Sequence, residues 1–276
     1  MKKQKTIAFF LRLAVYLAAI ITVGALFFLV GYILVKGVPN LSWKLFEWKY
    51  TTDNLSLMPA LLNTILMTLL SLLIAVPLGV FAAIYLVEYA KRGSKLVSII
   101  RMNAETLAGI PSIVYGLFGM LFFVTALKLG FSMLSGALTI SIMILPVILR
   151  TSEEALMSVP DSFREGSFGL GAGRLRTVFR VVLPDAIPGI LAGVILGVGR
   201  TVGETAALLY TAGTSSDTVS GIMDSARTLS VHMYALSQEG LYINQTYATA
   251  VVLLIIVVGI NALSAALAKR VTKRRI

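Results

Sequence analysis

Six apolar runs, each long enough to cross about 30 Å of hydrocarbon as a helix of roughly 20 residues, constrain this chain more than any other feature: residues 7–35, 59–87, 104–127, 133–149, 187–212 and 248–268. Inside a bilayer each backbone N–H and C=O must find its partner within the protein, so runs of this kind become helices. The expected fold is an all-α polytopic membrane protein, one transmembrane domain over residues 1–276 with six helices. Composition agrees: 57% of residues are hydrophobic, 13% are charged and the mean hydropathy is +0.88, well outside the range of ordinary soluble domains. The fourth run is short and speckled with polar residues. Omitting it gives five spans and puts the two basic termini on opposite sides.

Orientation follows from the basic residues, because Lys and Arg are retained on the cytoplasmic side of span ends. With six spans, one side collects Lys2, Lys3, Lys5 and Arg12; Lys91, Arg92, Lys95 and Arg101; Arg150, Arg164, Arg174, Arg176 and Arg180; and Lys269, Arg270, Lys273, Arg274 and Arg275. The other side holds only Lys36, Lys44, Lys49, Lys128 and Arg227, with Arg200 left inside a span. Both termini are therefore expected in the cytoplasm. The net charge of +11 then reflects topology. Scattered over four membrane-flanking segments, it makes no surface for nucleic acid. The first run is longer than a signal-peptide core and lacks a small-x-small cleavage pattern before Lys36, so it is expected to be retained as a span.

Several chemistries are excluded. With no cysteine there is no disulfide or thiolate site, and the single histidine, His232, has no second histidine beside it. No Gly-x-x-x-x-Gly-Lys-Ser/Thr cradle for nucleotide phosphates occurs, and Ser, Asp and His form no nucleophile motif. The Gly171-Ala-Gly173 pair follows no strand. The chain is expected to be non-catalytic, with no cofactor and no metal of its own.

The polar gap at residues 151–185, on the basic side, is more informative. Pro160 is placed to start a short helix and Gly171 and Gly173 to end it. Leu175, Val178, Phe179 and Val182 then recur at helical spacing opposite Arg174, Arg176 and Arg180. The pattern reads as helix, turn, amphipathic helix. Periodicity alone favours an element lying on anionic lipid.

The spacing Glu165-Gly166-Ser167-x-x-x-Gly171, followed by Val181-x-Leu183-Pro184, resembles the EAA loop by which ABC-importer permeases grip their ATPase subunits. Gly166 and Ser167 replace the two alanines and remain small. A wider match over residues 145–155, 182–189 and Arg200-x-x-Gly203-Glu204-Thr205-Ala206-x-Leu208-Leu209 is similar to the PstA type of phosphate-importer permease. The resemblance implies a coupling loop at 151–185 in which Glu165, Gly166, Ser167, Gly171, Leu183 and Pro184 meet the ATPase. It also implies a homologous second permease (PstC-like), two ATPase subunits (PstB-like) that bind the ATP, and an extracytoplasmic phosphate-binding protein (PstS-like), all held in membrane lipid. Inward transport of phosphate by alternating access is the function it implies. A permease for another oxyanion, or a stand-alone secondary anion carrier or channel, is the competing class.

In the fifth run Gly189, Gly193 and Gly197 recur every fourth residue, a small face that lets helices approach closely in lipid. Continued as a helix at about 100° per residue, that face also carries Arg200 and Glu204. Charges within a span point into the bundle or a watery path, so the two are candidates for the substrate pathway, with Glu204 competing for Arg200 to keep phosphate binding weak. A purely structural ion pair is the alternative. Arg150, at the inner end of the fourth run, is a secondary candidate that also fits a border arginine. Pro77, Pro111 and Pro146 interrupt three runs. In the outer segment 213–245, Ile222, Ala226, Leu229, Met233 and Leu236 predict an amphipathic helix across the outer mouth.

Overall fold

A computed structural model describes residues 2–91 and 93–273; Arg92, Arg274 and Arg275 of the basic flanks lie outside them. Among the described residues all regular structure is helical. Helix α1 (Lys2–Gly37) leads through two short 3-10 turns to α2 (Met58–Ile84), which ends in a π-turn at Tyr85–Tyr89. Then follow α3 (Lys95–Ala108), α4 (Ser112–Gly119) with a π-turn at Met120–Ala126, α5 (Met133–Met157) and the short α6 (Asp161–Gly169). Helix α7 (Arg174–Thr177) passes through a third π-turn, Val178–Val182, into α8 (Leu183–Gly203), after which come α9 (Ala206–Leu209), α10 (Leu229–Glu239) and α11 (Ile243–Lys273).

Among the described residues five helical stretches are long and apolar enough to cross a membrane, and a sixth crossing exists if α3 and the α4 segment, bent by 102°, count as one. The third run is thus a broken helix and not a straight span over 104–127. Pro111 has no N–H to donate and disfavours helical geometry at Ile110, so α3 stops at Ala108 and α4 starts after Pro111. The fourth run is longer than its apolar stretch: Ser132 accepts a hydrogen bond from the Ser135 N–H at 3.2 Å to start α5, and the helix continues past Leu149 to Met157. Pro146 is accommodated within it, as Pro77 is within α2.

Two further corrections concern the polar gap and the fifth run. The amphipathic stretch after Gly173 is no separate interfacial helix, since residues Arg174–Gly203 form one continuous helical stretch. Pro184 would clash with the carbonyl one turn earlier. The π-turn absorbs it, with the Leu183 N–H bonded to the Val178 carbonyl, five residues back. The polar loop expected over 151–185 is therefore confined to the connection between Met157 and Arg174. At its far end α8, formed by the fifth run, stops at Gly203, short of 212, because Glu204 is extended (φ −73°, ψ 126°).

Helix α5 is the hub, packed between α2 and α8 and buried along most of its length. Three apolar clusters stack along the bundle. One, near α6, gathers Ile84, Val97, Leu156, Val178 and Val182; the central one gathers Met67, Tyr115, Met143, Ile144 and Leu208; the third, at the opposite end, gathers Leu45, Leu57, Leu229 and Val252. The amphipathic helix foreseen over residues 222–236 is shorter: residues up to Thr228 form loop, and only α10 is helical.

Candidate functional site

The short helix α6 is delimited by its own sequence. Pro160 precedes it, Asp161 occupies its positively polarised first turn, and Gly171, at φ +80°, closes it. The Ala172 N–H reaches the Ser167 carbonyl (3.1 Å) and the Gly171 N–H the Phe168 carbonyl (2.9 Å), the paired bonds of a Schellman end, which needs the left-handed conformation glycine adopts without strain. No residue of α6 is buried. Phe163, Glu165, Gly166, Phe168 and Leu170 are exposed, while Arg164 and Ser167 turn inward. The Ser167 and Thr177 hydroxyls lie 2.8 Å apart, so the serine at this position, beyond being small, ties α6 to α7. Leu183 and Pro184 lie inside the long helical stretch, directly after its π-turn.

Arg164 is held more firmly than any other residue of α6. Its Nε and Nη2 donate to Glu88 Oε1 (3.0 and 2.8 Å), Nη2 also to the Leu156 carbonyl (2.8 Å), and Nη1 to the Val159 carbonyl (2.7 Å) and Asp161 Oδ1 (3.2 Å). The side chains of Arg164 and Glu88 are 13% and 7% exposed. A pair this buried typically costs roughly 3–5 kcal/mol when one partner is removed.

Along the fifth apolar run, which forms α8, the structure separates the residues that a helical extrapolation puts on one face. Glu204 lies beyond the break, where its Oε1 accepts the Ala207 N–H at 3.0 Å and caps α9. Its carbonyl accepts the Ser230 hydroxyl at 2.6 Å. No Arg200–Glu204 ion pair exists among the described residues, and the expected competition between the two has no geometric basis. Arg200, half-buried in the last turn of α8, has no hydrogen bond or ion pair among them either, and lies within electrostatic reach of Tyr115 on α4. Two interrupted helices flank this region, α3/α4 and α8/α9. Gly116 allows α4 to lie directly on α9, since a Cβ there would come within 2.9 Å of the Ala207 Cα. Interrupted backbone inside a membrane is tolerated where it faces protein or a water-filled path.

The glycine face of α8 packs on α5. A Cβ on Gly189 would meet that of Ala155 at 2.6 Å, and one on Gly193 would overlap the Thr151 side chain, whereas Gly197 has ordinary contacts at 3.7 Å with Ile148 and Leu72. Arg150 is exposed and donates to Glu154 at 3.0 Å one turn along α5. It borders a cavity of about 450 Å³ between α3 and α5, shared with Arg101, Glu105 and Glu153. Arg101 pairs with Glu153 across that cleft.

The family described as the binding-protein-dependent transport system inner membrane component matches residues 75–276. The chain belongs to it. A probable ABC transporter permease protein, YqgI of Bacillus subtilis, is 34% identical over 240 residues, covering 82% of this chain and 81% of the relative. The phosphate transport system permease protein PstA 1 of Mycobacterium tuberculosis is 36% identical over 220 residues, covering 78% and 71%. Among solved structures, a bacterial alginate ABC transporter matches at a TM-score of 0.64 with 17% identity, covering 94% of this chain and 95% of its own. The MetNI methionine ABC transporter in an inward-facing conformation matches at 0.56 with 19% identity, covering 87% and 96%. This is an inner-membrane permease subunit of an ABC importer.

Within the permease, sequence reasoning had missed Glu88, Arg101, Glu153, Arg164 and Tyr115 as structural participants. Glu88 carried one signal, a lone carboxylate closing an apolar run. His232, which sequence left in an outer loop, is fully buried in α10. Burial and then the charge of Arg227 push its pKa down to about 4, against a ring N–H donated to the Leu55 carbonyl. Its ring packs edge-on against Tyr50, 5.9 Å between centroids. No cluster of three metal-ligating side chains occurs among the described residues.

Proposed function

We propose that this permease carries inorganic phosphate inward by alternating access, with Arg200 meeting the anion in passage. The observation that carries the reading is Arg200 itself: a permanent charge inside the bundle, beside two interrupted helices and without an acidic partner among the described residues. A planar guanidinium suits phosphate oxygens, and an intramembrane charge is costly enough to imply a use. Relatives whose names specify phosphate transport, such as PstA 1 at 36% identity, favour this anion over other oxyanions. Arg150, at the mouth of the cavity between α3 and α5, is a second contact on the same route.

The end of the bundle bearing α6 faces the cytoplasm, as do both termini, and the exposed surface of α6 around Glu165 and Gly166 receives an ATPase subunit. Two such subunits supply the ATP hydrolysis. A homologous second permease completes the pathway and an extracytoplasmic phosphate-binding protein delivers the cargo. The test is phosphate uptake by the assembled complex in proteoliposomes, with sulfate as competitor. Arg200→Gln should lose uptake by about tenfold or more, the scale of one charged hydrogen-bond partner, and Arg200→Lys less, because it keeps charge without the bidentate fork. Normal uptake by Arg200→Gln at full complex yield removes Arg200 from the route. Preferred uptake of sulfate retains the importer and changes its cargo.

A further inference from the structure

We infer that Arg164 and Glu88 form a strut, a pair of positioning residues that passes movement of α6 into α2 and α5. The inference rests on the reading of α6 as the surface that receives the ATPase. A lever that buries no apolar side chain of its own cannot be moved as one body with the bundle by apolar packing, which is in any case non-directional. It needs directional links, and α6 turns only Arg164 and Ser167 inward. Ser167 reaches Thr177 and so engages the α7–α8 helix. Arg164 reaches the ends of α2 and α5.

The chemistry of that contact suits a strut. Arginine has five N–H groups in a rigid fork, and here they serve Glu88, the Leu156 and Val159 carbonyls and Asp161. Leu156 belongs to the last turn of α5, where its carbonyl also takes the Val159 N–H at 3.4 Å, and Val159 lies two residues beyond the helix end at Met157; a carbonyl has two lone pairs, so both can accept from the guanidinium. Glu88 lies in the π-turn that closes α2. One side chain on α6 therefore grips the ends of two of the three helices at the heart of the bundle, while Ser167 grips the start of the third. The link Ser158–Pro160 tethers the first turn of α6, but the guanidinium sets its angle. Lysine would keep the charge and reach Glu88, yet could not hold two carbonyls and a carboxylate in fixed directions.

The test uses the full complex of permease, partner permease, ATPase and binding protein, and compares Arg164→Lys and Glu88→Gln with the native chain. Complex yield, ATP hydrolysis and phosphate uptake are measured on the same vesicles. A strut predicts complexes that assemble and hydrolyse ATP while uptake per ATP falls, by about tenfold for Arg164→Lys and less for Glu88→Gln, which keeps an acceptor oxygen. If Arg164→Lys lowers yield, Glu88→Gln carries the comparison. An unchanged ratio of uptake to hydrolysis, whether both stay normal or both fall with yield, overturns the strut. The chain has no cysteine and Gly166 has open space around it, so Gly166→Cys carrying a benzophenone probe reports the underlying reading separately. Cross-linking to the ATPase with an unchanged ratio sinks the strut alone. No cross-link to the ATPase overturns the docking of α6 and the strut with it.

Discussion

His232 shows how little a residue type says without its surroundings. Buried in α10 against Tyr50, with its pKa near 4, it stays neutral where a free histidine titrates around 6.5. As pH falls through that interval the unfolded chain takes up a proton that the folded chain refuses, so stability falls from about pH 6.5 down to about pH 4 and is flat on either side. The span corresponds to about 3 kcal/mol. Thermal denaturation in detergent should follow this slope, and His232→Phe, which keeps the edge-on ring contact, should flatten it. An equal slope in the variant would assign the titration to another group. The sequence offered the histidine's isolation, which bears on metal binding, but not its depth. Arg164 was hidden for the same reason: as one more basic loop residue it satisfied the topology rule, and its partner Glu88 is 76 positions away.

At the scale of elements, apolar length made the crossings legible, because a bilayer demands it, and Pro160 with Gly171 marked both ends of α6. The misses came where local geometry departs from a straight helix. A helical wheel drawn past Gly203 put Glu204 beside Arg200, and the break put it beneath α9 instead. Glu204→Gln, which retains the capping oxygen, should leave uptake within about twofold of native, whereas Glu204→Ala should lower complex stability by about 1 kcal/mol through loss of that cap. A Glu204→Gln complex that retains phosphate more tightly and releases it more slowly would revive competition for Arg200. The α5–α8 contact gives a second case. Gly193→Ala should cost about 1–3 kcal/mol by overpacking, and adding Thr151→Ala should recover part of it, since the Thr151 side chain is what the new methyl meets. Thermal stability of the two variants checks this, and absence of any recovery would mean that the helices separate as a unit.

For the whole molecule, the distinction between a driven permease and a free-standing carrier is one of dependence. Reconstituted alone, the chain should neither accumulate phosphate nor exchange it across the vesicle wall, and ATP-dependent uptake should appear only with its ATPase, partner permease and binding protein present. Exchange by the chain alone, measured with labelled phosphate, would favour the carrier.

The three π-turns among the described residues, at 85–89, 120–126 and 178–182, set the rotational phase of the bundle. Each accommodates a residue more than a regular helix of the same rise, and one residue of helix is about 100° of rotation. In the stretch Arg174–Gly203 the π-turn separates the part beside α6 from the part that ends in Arg200. Deleting one residue there would remove the turn that accommodates Pro184 and drive that proline against the carbonyl of the preceding turn, bending the helix and taking the glycine face off α5 and Arg200 off its bearing. The bearing of that arginine thus depends on backbone about five to six turns below it, so deletions near residue 180 should be far rarer among functional relatives than substitutions.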